Sequence, residues 1–216
     1  MPPEDSAAAD HVPATSAGVR PIVIGASTGG VEALYTLLST LPADCPPVFV
    51  VQHMRPAYVD SFIAGLNRVC PADVVAAADR EQARTGRITI APAGDVHLVL
   101  AARPVMLTRL VEGEPVHGHR PAVDRLFHSA ALLPVVPVAA LLTGMGRDGA
   151  DGLRAIREAG GHTIAQDEQT SVVYGMPRAA RDIDAAAQIL PLAAIGAALL
   201  RASGYKPKHT SDRRSG

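Results

Sequence analysis

The chain has 216 residues, 48% of them hydrophobic and 19% charged, which is enough for one sizeable core and describes a soluble globular protein. A formal net charge of −1 gives no bulk attraction to nucleic acid or to an anionic membrane, and the absence of Trp leaves few platforms for stacking bases. No apolar run approaches the roughly 18 residues of a membrane-spanning helix, so no membrane insertion is expected.

In chain order, residues 1–18 are rich in Ala and Pro, carry Glu4, Asp5 and Asp10, and lack the basic and apolar regions of a signal peptide. They read as a disordered tail. Residues 19–203 read as one domain. Pro21-Ile-Val-Ile24 is a strand, and Val31–Leu41 a helix with Leu34, Leu37, Leu38 and Leu41 on one face, closed by Pro42. Val48–Val51 is apolar throughout, as a buried parallel strand requires. A second helical pattern carries Phe62, Ile63 and Leu66.

Four β-rich pieces follow, at Val74-Val75, Arg87–Ala91, Val96–Leu100 and Val105–Leu107. Ala93-Gly94-Asp95 separates the second piece from the third, and this pair reads as an antiparallel hairpin inserted into the alternation. A helix face at Val123, Leu126, Phe127 and Ala130 comes next, then a strand from Val135 to Leu142 interrupted by Pro137. A helix with Leu153 and Ile156 ends at Gly160-Gly161; Thr163–Ala165 is a short strand, and Leu192–Leu200 a closing helix. Repeated β-then-α order predicts an α/β fold, doubly wound, with a mainly parallel sheet covered by helices on both faces. Residues 204–216, with Lys206, Lys208, Arg213 and Arg214, read as a basic disordered tail. Cys45 and Cys70 each precede a proline in a loop and read as reduced cytosolic thiols.

Gly25-Ala-Ser-Thr-Gly-Gly30 joins the first strand to the first helix, and Gly25-x-Ser27-x-Gly29 has the form of a nucleophile elbow. A Gly-rich turn of this kind also binds phosphate, but the spacing is not G-x-G-x-x-G and no Gly-Lys-Ser/Thr follows. Ligands of an open parallel sheet bind outside the carboxyl ends of its strands. Ser27 follows the first strand, His53 the second, and Asp148 the strand that ends at Leu142. All three are therefore expected on one edge, where they supply a nucleophile, a base that titrates near ~6.5 when unperturbed, and an acid to orient it. Thr28 N–H and the backbone of Met145 are the candidate oxyanion donors.

Alternatives stay open at this stage. Asp148 between glycines also suits an Asx-turn or a helix N-cap. His162 opens a strand and could replace His53 as base from the other strand end. His117, His119 and His128 with Asp124 form a competing metal constellation, although no H-E-x-x-H is present. His97, inside a strand pattern, reads as structural. A non-catalytic module that holds an anion or a partner at the glycine turn is the competing function.

From about Arg20 to about Arg201 the chain resembles the catalytic domain of the chemotaxis protein-glutamate methylesterases, the CheB family. The resemblance rests on Gly25–Gly30, Val50-Val-Gln-His-Met54, Ile90-Ala-Pro92 with His97-Leu98, and Arg120-Pro-Ala-Val-Asp124. It continues through Leu142-Thr-Gly-Met-Gly-Arg-Asp-Gly149, Ala165-Gln-Asp167 and Tyr174-Gly-Met-Pro177. It implies a Ser27–His53–Asp148 triad that hydrolyses glutamate γ-methyl esters on chemoreceptor helices, releasing methanol in the cytoplasm. Deamidation of receptor glutamines is implied as a second activity, and no cofactor or metal is implied. Thr28 and Met145 match active-site positions of the family; Gln52, Arg120, Asp124 and Gln166 fall in matching motifs near the cleft. Ala122 stands where the family's motif has Ser. The roughly twenty residues before the first strand are too few for the family's N-terminal receiver domain, so phosphorylation control is not expected.

Overall fold

A computed structural model describes residues 18–102 and 104–207; the expected tails lie outside them except for Gly18 and residues 204–207, where Tyr205 is hydrogen-bonded to Asp44 and does not behave as a disordered tail. The apolar run after Pro21 forms β1 (Ile22–Ala26), buried along its whole length. Gly29, at φ +78°, turns the chain into α1 (Gly30–Leu38), a left-handed conformation that glycine adopts without strain. The helix is shorter than its apolar pattern, because the chain turns at Ser39–Thr40; Leu41 is still fully buried. Then come β2 (Val48–Gln52), α2 (Val59–Asn67), β3 (Asp73–Ala76) and β4 (Arg87–Ile90).

The antiparallel pair β5 (Val96–Ala102) and β6 (Met106–Glu112) follows, leading to α3 (Val123–Ala131), β7 (Val138–Leu141) and α4 (Ala150–Glu158). The chain closes with β8 (His162–Gln166), α5 (Met176–Asp182), β9 (Gln188–Leu190) and α6 (Leu192–Ser203).

Seven strands make one sheet in the order β3-β4-β2-β1-β7-β8-β9, with every neighbouring pair parallel; β5 and β6 form a separate two-stranded sheet. Alternate residues of the strands feed two cores. Ile22, Ile24, Val48, Val50, Ile88 and Ile90 face α1, α2 and α6. Val23, Phe49, Val51, Ala139 and Leu141 face α3, α4, α5 and the β5–β6 ribbon. Strands buried on both faces explain the unbroken apolar runs in the sequence.

Two expectations are corrected. The hairpin does not join β4 to β5 through residues 93–95, because β4 lies in the parallel sheet beside β2 and buries Ile88 and Ile90 in its core. The ribbon is β5 with β6, registered from Val96 opposite Glu112 to Ala102 opposite Met106. It is fastened to α3 where Ser129 Oγ accepts the Leu100 N–H. The strand expected from Val135 begins only after Pro137, at Val138. From β1 the chain first builds outward through β2, then returns to place β7 on the other flank. The direction of winding thus reverses beside β1, which is where open α/β sheets form their binding crevice.

Candidate active site

β1 and β2 pair in parallel up to Ala26 opposite Gln52, so the next residues, Ser27 and His53, leave the sheet side by side. The His53 N–H donates to Ala26 O at 3.0 Å, and Ser27 N–H donates to Thr143 O, just beyond β7, at 3.0 Å. The elbow is thereby fastened to both neighbouring strands. Gln52 Nε2 donates to Ser27 O and to His53 O, each at 2.9 Å, and clamps the two loops together. Gln166 acts on the other flank: Oε1 accepts Thr143 N–H at 2.8 Å and Nε2 donates to Thr170 O at 2.8 Å. Both glutamines are buried. They hold backbone and expose no edge to solvent. Gly144 lies so close to Ser27 that a Cβ there would come within 2.7 Å of the serine Cβ and 2.2 Å of Met176 Sδ.

Asp148 sits in the loop after β7, its side chain 1% exposed, and its carboxylate has three donors. Oδ2 accepts His53 Nε2–H at 2.8 Å and Val123 N–H at 2.7 Å; Oδ1 accepts Asp124 N–H at 2.9 Å. Val123 and Asp124 open α3, whose N-cap residue Ala122 makes no side-chain capping bond. Asp148 therefore caps α3 from a distant loop, and does not cap α4, the helix that follows it. Burial pushes its carboxyl up, but the hydrogen bonds from His53, Asp124 and Val123 outweigh that and hold it below the usual carboxylate range.

With Nε2–H committed to Asp148, neutral His53 carries its lone pair on Nδ1. That atom is buried and has no hydrogen-bond partner among the described residues. A free imidazole lone pair, a half-buried serine on the adjacent strand end and a buried carboxylate behind the imidazole are the components of nucleophilic hydrolysis. Thr28 and Met145 flank Ser27 on the elbow and on the loop after β7, both exposed, Met145 to 67%.

The remaining expected residues lie nearby with other partners. The Arg120 guanidinium binds Gly94 O at 3.1 Å, Gly113 O at 2.9 Å and Asp95 at 2.6 Å, which ties the segment before α3 to the open end of the β5–β6 ribbon, where β5 begins and β6 ends. Asp124 Oδ1 accepts Gly152 N–H at 2.7 Å in the first turn of α4, and Oδ2 meets His117 Nε2 at 3.1 Å. Burial raises the Asp124 pKa, against the opposing pull of the Gly152 N–H. His97 is structural: fully buried, it accepts Ala122 N–H on Nδ1 and donates Nε2–H to Glu114 O.

His162 pairs with Val138 at the amino end of its strand, on the opposite edge of the sheet from Ser27. The competing metal set does not assemble as expected. His117, Asp124 and Asp151 place ligand atoms within 4.8 Å of one another, whereas the His119 ring stacks on His53. That stacking was not legible in the sequence, where no spacing links residues 53 and 119.

The CheB methylesterase family model matches residues 22–199. A protein-glutamate methylesterase/protein-glutamine glutaminase of Agrobacterium fabrum is 48% identical over 202 residues, covering 92% of this chain and 58% of that protein. A like-named protein of a Nocardioides species is 50% identical over 196 residues, covering 88% of this chain and 53% of that protein. The chain thus spans little more than half the length of these relatives. The crystal structure of the Thermotoga maritima CheB methylesterase catalytic domain superposes with a TM-score of 0.81 at 36% identity, covering 85% of this chain and 98% of that one.

Proposed function

Since this chain belongs to the CheB methylesterase family, we propose that it hydrolyses glutamate γ-methyl esters on proteins, with Ser27 as nucleophile, His53 as base and Asp148 as the orienting acid. The observation that carries the reading is the buried His53 Nε2–Asp148 Oδ2 hydrogen bond of 2.8 Å, which leaves Nδ1 free beside the serine loop. Ser27 Oγ attacks the ester carbonyl while its proton passes to His53 Nδ1. The imidazolium that forms is stabilised by Asp148, whose own charge is held by the N-terminus of α3. Thr28 N–H and Met145 N–H receive the oxyanion.

Collapse of the tetrahedral intermediate breaks the bond to methoxide, which takes the proton from His53 and leaves as methanol. Water then attacks the γ-glutamyl-serine ester, with His53 again as base, and releases glutamate and free Ser27. An amide nitrogen leaving as ammonia follows the same path, which accounts for a glutaminase activity on the same residues. Gln52 and Gln166 serve this chemistry by fixing backbone; Arg120 and Asp124 serve it through the ribbon and the helix N-termini.

The substrate class follows from the relatives' names, and methylated cytoplasmic helices of chemoreceptors are the proposed partner. Residues 19–203 form the proposed catalytic unit. No helix among the described residues is long and apolar enough to cross a membrane, and a cytoplasmic location follows from the proposed partner. The test is methanol release from a methylated receptor fragment by the wild type and by Ser27→Ala. Release by the first alone is expected; equal release by both would remove Ser27 as nucleophile.

A further inference from the structure

The imidazoles of His53 and His119 lie face to face, with ring centroids 3.7 Å apart and planes 9° from parallel. His53 makes one side-chain hydrogen bond among the described residues, from Nε2 to Asp148, and its buried Nδ1 has no partner there. A single hydrogen bond does not fix the tilt of the ring about it, so the packing against its faces must. His119 covers one face of it.

The position of His119 is built by its own segment. Val116 and His119 exchange backbone hydrogen bonds of 3.1 and 2.9 Å across a two-residue turn. Both turn residues have positive φ, His117 at 51° and Gly118 at 78°, as a type I′ turn requires. The next residue, Arg120, is bound to Gly94 O, Gly113 O and Asp95, and Ala122 N–H to His97. His119 is therefore a half-buried ring at the end of an anchored turn. Burial, and then the neighbouring His53, lower its pKa, which favours the neutral form at neutral pH.

We infer that His119 is a positioning residue for the base: its ring restrains the tilt of His53 and shields one face from water, keeping Nδ1 aimed at Ser27. This rests on the proposed hydrolytic reading. The effect is one of orientation, and a misplacement of about 1 Å at a reacting group can cost on the order of a hundredfold in rate. A flat ring is what the contact needs; an exchangeable proton on residue 119 is not.

Three variants, His119→Ala, His119→Gln and His119→Phe, separate these properties in the full chain. Two readouts are taken: kcat and KM for methanol release, and the rate at which a fluorophosphonate labels Ser27. Labelling forms an Oγ–P bond, expels fluoride and sends the serine proton to His53, so it reports the base without the methyl ester substrate. His119→Ala and His119→Gln are expected to lower kcat and the labelling rate by about ten- to a hundredfold with KM within about twofold. His119→Phe is expected to recover to within a few-fold of wild type. A drop as large in His119→Phe as in His119→Ala would overturn the inference, as would an unchanged labelling rate in His119→Ala, or a rise in KM with kcat unchanged. Labelling that depends on His119 in a protein that releases no methanol would sink the proposed substrate and leave the inference standing.

Discussion

Asp124 donates its backbone N–H to Asp148 Oδ1 at 2.9 Å, while its own carboxylate accepts Gly152 N–H at 2.7 Å, four residues beyond Asp148. Each carboxylate caps a helix that begins in the other's segment. The loop after β7 and the start of α3 are therefore locked to one another, and Asp148, the proposed orienting acid, is part of the lock.

Asp148→Asn is expected to lower kcat by about 10³ to 10⁴ while the protein remains folded, because the amide no longer stabilises the imidazolium and favours the wrong tautomer of His53. Steady-state methanol release checks it, and a loss of only a few-fold would make Asp148 a helix cap and nothing more.

The same substitution is expected to cost about 1–3 kcal/mol of stability at neutral pH, since two buried N–H donors lose their anionic acceptor. The pKa of Asp148 is depressed by folding, so its contribution is complete above the unfolded value near ~3.9 and is lost as pH falls through the lower folded value. Urea unfolding of wild type and Asp148→Asn from pH 7 down to pH 3 should show a constant gap that narrows only below about pH 4. A gap that widens toward acid would contradict this sign.

Gly144→Ala should act on the proposed nucleophile, Ser27, without touching any polar group of the proposed triad. The added methyl would meet Ser27 Cβ at 2.7 Å and Met176 Sδ at 2.2 Å, so the elbow must shift. A fall in kcat on the order of a hundredfold is expected, with the far-ultraviolet circular dichroism unchanged.

Gln52→Leu keeps the volume and removes both donors of the clamp, leaving the Ser27 and His53 carbonyls without it. Stability should fall by about 1–3 kcal/mol in urea unfolding, and kcat by about tenfold as the two loops loosen. His162→Ala, at the amino edge of β8, is the contrasting control: kcat should stay within about twofold of wild type, whereas His53→Ala should abolish it.

The cysteines should be inert in the native protein. Burial, with Asp44 nearby, pushes the Cys45 thiol up to about 12, and burial pushes Cys70 up to about 11. Iodoacetamide at pH 7 should leave Cys45 unmodified and alkylate Cys70 slowly, and both should react fully in denaturant. Rapid native alkylation of Cys45 would place it outside the core.

The two-faced burial of β1, β2 and β7 was legible because the runs Ile22–Ala26, Val48–Val51 and Val138–Leu141 carry no polar side chain. The pairing of β4 was not. Its four residues carry the same signal whether they pair with the ribbon or with β2, and only the space beside β2 decides. Helix α5 and strand β9 were missed for a related reason. Seven residues with Pro177 near the start hold too little period to read, and β9 is a three-residue edge strand with two exposed positions.

From the chain alone one could place Ser27, His53 and Asp148 on a single edge, since covalent attachment to the carboxyl end of a parallel strand fixes where a residue emerges. The motif likeness settled the family in the same way, through local runs of residues. Tertiary structure decided which imidazole nitrogen is free, that Asp148 caps α3, and that His119 lies over His53. These facts depend on contacts between segments as much as 95 residues apart, and no local periodicity encodes how such segments pack.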